Sequence, residues 1–598
     1  MTRIVGIKME KGIVKFKDLI IGDRIFQIPV YQRNFSWDKK QLEDLWDDLL
    51  YLDPYKKHYF GTILMKKAKE EKHGLKTYEI YDIIDGQQRI TTVLILLREI
   101  ISHLNSLGDE TDETKEELTK LEEEYLKYKT IYKLELLGDD NVFFRSYVID
   151  DTEYPDATLT SSQRRLKEAK FLFRKKLEKI EKSEAKKFGD FLGQFIDKIG
   201  NLEIIIYPVE NDADAARIFE TVNDRGKQLT NLEKTKSFLM QMVYLTVPKE
   251  SGDSTSYLRQ INDGFSRIFR DFEEIRTTVR GKDLNEDDIQ RYHFIVYVSS
   301  DIKTSYRYLD FLKEKIRGFY RENKEKCLNF VLEYTKDLEK AFFALKEIII
   351  YKKDDEIGIL FDKIYILGRV ANFYPLLIAS WIRFKDEQEK IEKLLMIIEI
   401  FSFRVYSIGR KRSDAGINSI YSLAYEVRSN KTMHIELIKK LMNIIHEYQG
   451  NKEFNINLTT EDFYNRVDTA DKKYLLFEYE KFLREEAKEP LDIHLKNILS
   501  EKFEIEHIWA TDTSKLKLSD ELEDIHEQYK DKLGNLTLAS DSWNSKWRNS
   551  PFVDKKEDYK DSNLRVQREL ASSSEWDEKQ IQAREKRIIE FIFKRWEV

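Results

Sequence analysis

Residues 78–97 read "YEIYDIIDGQQRITTVLILL". The β-prone run Tyr78 to Ile84 gives way at Asp85-Gly86 to an apolar pattern, Ile90, Val93, Leu94 and Leu97, with the period of a helix. A strand that feeds a mostly apolar helix puts this part of the chain in an α+β domain. Three polar side chains, Gln87, Gln88 and Arg89, stand at the first helical turn. Asp85 suits the N-cap, Gln88 three residues on completes a capping-box pattern, and Gly86 permits a tight turn. The free N–H groups and dipole of a helix start also attract anions, and a guanidinium such as Arg89 donates to phosphate in a bidentate manner. Taken alone, the turn serves either as a cap or as a site for a nucleotide or DNA phosphate.

The chain has 598 residues, too many for one core, so about two to four domains are expected. Only 8 prolines, with 35% charged and 41% hydrophobic residues, favour a predominantly helical protein with solvated helix faces. The net charge of −7 excludes a globally basic nucleic-acid binder, so contacts to DNA must come from local patches. One cysteine, Cys327, excludes an intramolecular disulfide and a Cys-based zinc site. The N-terminal residues lack a signal-peptide core, and the apolar run from 391 is short and charged. No membrane partner and a cytoplasmic location are therefore expected. Three segments are laid out: 1–248, of mixed strands and helices with a charge-dense helical insertion at about 107–200; 249–485, a helical connecting region; and 486–598, with short β-runs and a Trp-rich helix.

Two further stretches accompany the first. "IPVYQRNFSW" (28–37) places Tyr31, Gln32 and Arg33 after a Pro-limited strand. "FETVNDRGKQLTNLEKTK" (219–236) breaks a helix at Asn223, Asp224, Arg225 and Gly226 and restarts it with a Thr230/Glu233 capping box. With "YFGTI" between "IPVYQR" and "IIDGQQR", this set resembles the ParB/sulfiredoxin-like N-terminal domain of GmrSD-type restriction proteins, over roughly residues 10–245. The resemblance implies a domain that binds or hydrolyses a nucleoside triphosphate and senses modified DNA. It assigns Asp85, Gly86, Gln87, Gln88 and Arg89 to the nucleotide, with Asn223, Arg225 and Gly226 as lining residues. Tyr31, Gln32 and Arg33 contribute to that pocket or to reading the DNA. No GxxxxGK[ST] is present, so Walker-type chemistry does not account for any hydrolysis.

The C-terminal part reads "KFEIEHIWA" (502–510) and "DKLGNLTLASDSWNSKWRNSPF" (531–552). A strand ending near His507, a Gly534-Asn535 turn, a short strand "LTL" and a helix capped by Ser540 or Asp541 predict a ββα unit. Its residue types suit phosphodiester hydrolysis. His507 is a general base with an unperturbed pKa near neutrality. Glu506 and Asn544 supply the few protein oxygens that Mg²⁺ requires. Asn535 orients the imidazole or braces the turn, and Lys546 neutralises transition-state charge. "IEHIWA", "GNLTL" and "WNSKWRNSPF", with nine residues from Asn535 to Asn544, resemble the HNH nuclease domain of the same restriction proteins. Asn replaces the last His of that motif, and Ala510 stands where relatives often have Pro; the metal expected is Mg²⁺ or Mn²⁺. Residues 501–598 hold 18 Lys+Arg against 22 Asp+Glu, so DNA contacts fall to clusters such as Lys546/Arg548/Lys555/Lys556 or Arg584/Lys586/Arg587.

The expectation is a modification-dependent, nucleotide-regulated DNA endonuclease of the type IV restriction class, acting on double-stranded phage DNA in antiviral defence, with a homodimer as one assembly. Two alternatives are a phosphorothioate-sensing, nucleotide-dependent nicking protein and a non-catalytic ParB-like DNA-binding regulator.

Overall fold

The structure is a computed structural model that describes residues 12–51, 59–107, 112–154, 159–184, 187–209, 230–247, 254–352, 354–491, 493–499, 502–512, 519–547 and 549–598. It is predominantly helical α+β. Two compact units form, one from Met1–Gln290 with Arg307–Lys346 and one from Arg291–Tyr306 with Glu347–Val598.

The first unit is built on a six-stranded mixed sheet. Its strands are β1 (Gly12–Lys15), β2 (Arg24–Gln27), β3 (Tyr59–His73), β4 (Lys76–Asp85), β7 (Leu134–Glu135) and β8 (Glu203–Pro208), in the order β1-β8-β3-β4-β2-β7. A separate two-residue hairpin, β5 (Lys127–Tyr128) and β6 (Ile131–Tyr132), lies between. β4 is central, antiparallel to β3 and parallel to β2. Its C-terminal end feeds the helix Gln87–Leu107, whose Ile90, Val93, Leu94, Leu97, Ile100 and Ile101 are buried in the main core. Among the described residues this helix alone is long and apolar enough to cross a membrane; its apolar side chains are buried in the domain core.

The charge-dense insertion folds into several helices. Helices Asp112–Tyr125, Ser161–Glu184 and Phe188–Gly200 pack around the core helix, separated by the small hairpin and a π-helical turn, Phe144–Ile149. Asp139 and Asp140 sit on the short helix Gly138–Phe143.

The helical middle does not stand as one connecting region. Helix Ser254–Arg276 buries Leu258, Ile261, Phe265, Ile268 and Ile275 in the first unit, where Arg267 and Lys346 pair with Glu339 and Asp271 across to helix Lys324–Ile350. Helices from Glu356 onward belong to the second unit. There the buried Glu399 accepts hydrogen bonds from Tyr474, Arg595 and Trp596, tying the middle helices to the last helix, Glu578–Arg595. Amphipathic periodicity marks which face of each helix is buried but not which core it joins.

In the second unit, β9 (Phe503–His507) pairs antiparallel with β10 (Leu536–Ser540), with Leu536 opposite His507. Helix Asp541–Trp547 follows and packs on both strands. The expected ββα order is present.

Candidate functional site

In the first unit, the Asp85–Arg89 turn is a clasp. Gly86 has φ +98°, and a Cβ there would meet Ile63 Cγ1 at 2.9 Å, so glycine is needed for both conformation and space. Gln87 Nε2 donates to Gln32 Oε1 (2.9 Å) and the Arg33 carbonyl (3.1 Å). Gln88 Oε1 accepts from Ser36 N (2.8 Å), and its Nε2 donates to the Asn34 carbonyl (3.2 Å). Arg89 donates to the carbonyls of Phe60 and Thr62, both at 3.0 Å, with Gly61 left bare of a side chain where the guanidinium lies. Asp85 stands 3.6 Å from Arg89, and burial pushes its carboxyl above the ordinary range. Gln88 is thus not the partner of a capping box, and Arg89 is not an open phosphate donor. The amides of Gln87 and Gln88 fix the loop 31–36 against the sheet, and Arg89 is spent on carbonyls of β3.

That loop lines a cavity of about 350 Å³, together with the starts of helices Ser161–Glu184 and Asn231–Thr246 and with helix Ser254–Arg276. Tyr31 and Gln32 are buried and Arg33 nearly so, a placement that suits this cavity and not an open DNA surface. Burial holds the Arg33 guanidinium below its ordinary range. Ser237 Oγ donates to the Tyr31 carbonyl (3.0 Å), so the loop is fixed from both sides. Asn223, Arg225 and Gly226 lie outside the described residues. Thr230 and Glu233 form the expected capping box.

Sequence reading missed much of this cavity. Arg165, Lys236 and Arg270 supply cations, and Asp140 and Glu286 supply carboxyls. Burial pushes Asp140 up to about 6, Glu286 up to about 7 and Lys236 down to about 8. Burial thus draws three titratable groups toward neutrality around one cavity, a pattern that functional sites share. One signal was available: Thr160 and Gln163 form a reciprocal cap (3.2 and 3.0 Å), an S/T-x-x-Q pattern that announces the helix start at Ser161.

In the second unit, His507 Nε2 lies 3.0 Å from Asp531 Oδ1. The imidazole rests against the Tyr464 ring, centroids 4.4 Å apart. Asp531 also accepts from Asn465 Nδ2 (3.3 Å), and its carbonyl accepts from Tyr464 N (2.9 Å). The hydrogen bond with His507 holds the Asp531 carboxyl below its ordinary range. His507 Nδ1 has no hydrogen-bond partner among the described residues, which leaves one ring nitrogen to accept a proton.

Two neighbours, Lys546 and Glu506, differ from expectation, and Asn535 takes the second of its two expected roles. Asn535 does not orient the imidazole. It is fully buried; Oδ1 accepts from Trp509 N (2.7 Å) and Trp576 Nε1 (3.1 Å), while Nδ2 donates to the carbonyls of Trp509 (3.0 Å) and Lys530 (2.8 Å). It braces the chain on both sides of the turn. Lys546 pairs with Asp558 at 2.7 Å and lies over Trp543, so its ammonium is turned to that helix. Glu506 Oε1 meets Lys555 Nζ at 2.5 Å in a buried pair, and Lys555 also donates to the His507 carbonyl (2.7 Å). Burial pushes Glu506 up and Lys555 down, and their contact opposes both shifts. The second Glu506 oxygen has no hydrogen-bond partner among the described residues. Asn544, half-buried on the helix, has no hydrogen-bond partner among the described residues. Asp531 and Tyr464 were not foreseen, and Tyr464 falls before the expected boundary at 486; Lys555, expected among the DNA-contacting cations, is instead buried against Glu506.

A ββα unit whose histidine is held by an aspartate is suited to phosphodiester hydrolysis. Residues 16–240 match the model of the GmrSD restriction endonuclease N-terminal domain, and residues 448–591 that of the GmrSD restriction endonuclease C-terminal domain. Together the matches span well over half of the chain, which belongs to the GmrSD family of type IV restriction endonucleases, with DNA as substrate. No curated protein matches the chain. The second match begins at 448, so Tyr464 and Asn465 fall inside it.

Proposed function

We propose that the second unit hydrolyses DNA phosphodiesters as an HNH-type nuclease with His507 as general base, under the control of a nucleoside triphosphate bound by the ParB-like first unit. The observation that carries the reading is the imidazole held at Nε2 by Asp531 with Nδ1 open. Asp531 accepts the Nε2 proton and so fixes the tautomer whose Nδ1 lone pair takes a proton from the attacking water. The same carboxylate stabilises the imidazolium that results. Tyr464 sets the plane of the ring. Asn535 keeps β9 and β10 in register at the turn.

The residues present fit a hard divalent cation rather than zinc. Among the described residues no cluster of three or more His, Cys, Asp or Glu would hold a metal, and Mg²⁺, which keeps several waters, needs only one or two protein oxygens. Asn544 and the second oxygen of Glu506 would hold it. Bound there, Mg²⁺ or Mn²⁺ would supply charge stabilisation at the scissile phosphate.

In the first unit the nucleotide is assigned to the cavity of about 350 Å³, a volume within the range of small-ligand sites. Helix Ser161–Glu184 presents its N-terminus there, and Arg33, Arg165, Lys236 and Arg270 supply positive charge to a polyphosphate. Gln87 and Gln88 act at one remove, by holding loop 31–36, and Arg89 by tying the turn to β3. The test is cleavage of modified and unmodified phage DNA, with and without nucleotide and divalent ion. Cutting that needs the modification, a nucleotide and the ion supports the proposal; equal cutting of both DNAs without nucleotide refutes the control.

A further inference from the structure

The second unit contains a cleft that none of this chemistry uses. Its volume is about 550 Å³, and Arg565, Arg568, Arg584, Arg587 and Trp576 line it. Four guanidiniums around one space in a chain of net charge −7 are notable because anionic partners do not balance them all. Glu489 bridges Arg565 and Arg568, and Arg587 lies between Glu486 and Glu569. That is three carboxylates against four cations. Arg584 has no carboxylate in ion-pair contact among the described residues; its Nη2 is buried with no hydrogen-bond partner. Burial of a cation without its counter-ion is costly, so the wall of the cleft keeps a fixed positive charge that an anion would relieve.

The same wall supports the nuclease turn. Arg584 Nη1 donates to the carbonyls of Gly534 (2.7 Å) and Leu536 (2.8 Å), on either side of Asn535. Trp576 Nε1 donates to Asn535 Oδ1 at 3.1 Å. Gly534 lies so close to helix Glu578–Arg595 that a Cβ would come within 2.2 Å of the Ile581 carbonyl. The cleft and the β9–β10 unit are therefore two sides of one packed wall.

We propose that this cleft seats a backbone phosphate of the DNA substrate away from the scissile bond. Arg568 and Arg587 exchange their glutamates for phosphate oxygens, and Arg584 is the fixed charge behind them. Arginine suits this because its planar fork pairs with phosphate as it does with carboxylate. Such a contact positions the duplex without reading its sequence. The inference rests on the reading of the second unit as a DNA nuclease.

The test measures binding rather than cutting. A fluorescein-labelled unmodified duplex is titrated with the full chain carrying His507→Ala, over a series of salt concentrations, by fluorescence anisotropy. Adding Arg568→Gln or Arg587→Gln should weaken binding and flatten the slope of log Kobs against log[salt] by about 0.9 each. Adding Glu489→Gln should tighten binding, because it frees two arginines; a purely structural ion network would not do so. Unchanged slopes in both arginine variants, with a parent that binds, overturn the proposal alone. A parent that binds neither this duplex nor modified phage DNA, with nucleotide present, overturns it together with the nuclease reading.

Discussion

Asn535→Ala should cost the second unit far more than a typical substitution. The side chain is fully buried and makes four hydrogen bonds, at 2.7, 2.8, 3.0 and 3.1 Å. Truncation leaves the Trp509 N–H, the Trp576 indole N–H and two carbonyls without partners. Each buried group left unsatisfied costs about 1–3 kcal/mol, and some will be relieved by water, so the loss is about 4 kcal/mol. For a unit of this size about 1 kcal/mol lowers Tm by roughly 2–4 °C, which places the expected drop at about 8–16 °C. Trp509 and Trp576, two of the chain's 8 tryptophans, both hydrogen-bond to Asn535, so the melt followed by intrinsic fluorescence includes the site. Asn535→Asp is the sharper variant. It keeps the volume and the acceptor, but turns a donor facing two carbonyls into an oxygen, and should melt at least as early as the alanine variant. An Asp variant with unchanged Tm and lost cleavage would refute the brace and give Asn535 a role in the chemistry.

Three more outcomes are expected. Arg89→Ala removes two donors from the carbonyls of Phe60 and Thr62, and should lower the Tm of the first unit by several degrees, measured by circular dichroism; an unaltered melt with lost nucleotide binding would restore Arg89 as a direct ligand. Nucleotide affinity should fall as pH rises from about 7 to about 9, where the terminal phosphate, with a pKa of about 6, is already ionised. Over that span Glu286, pushed up to about 7, completes its ionisation, and Lys236, pushed down to about 8, loses its charge. Both changes repel a polyanion; calorimetric titration should show a loss of about tenfold or more, and a flat profile would remove the cavity assignment. Asp531→Asn leaves a neutral partner at His507 Nε2 and should slow cleavage by about 10²-fold or more while DNA binding stays level; a rate within twofold of the parent would dismiss the pair.

The junction at Asp85–Gly86 was legible because the hydrophobic period changes there, and only glycine fits φ +98° beside Ile63. What Gln87, Gln88 and Arg89 do was not legible. Their partners are mostly backbone groups 27–54 residues away, and a carbonyl leaves no mark in a sequence. The same amide and guanidinium groups that suit a phosphate suit a backbone clasp equally well. His507 and the ββα order were visible in the strand pattern. Asp531, 24 residues on, was not, because one acidic residue in a charged turn resembles any other. Tyr464 was lost to a boundary drawn at a change of composition, whereas the packing that holds the imidazole crosses that boundary. The cavity of the first unit is assembled from loops and helix starts on several segments; a local pattern such as the Thr160/Gln163 cap marks one of those starts but not their convergence.

The central claim is that His507 is the base that cuts DNA. It is tested most directly by the single-turnover cleavage rate of His507→Ala, in saturating protein with Mg²⁺ and nucleotide. The account predicts a fall of about 10²–10⁴-fold, with nucleotide turnover and DNA affinity retained. Cleavage at the parent rate would contradict it.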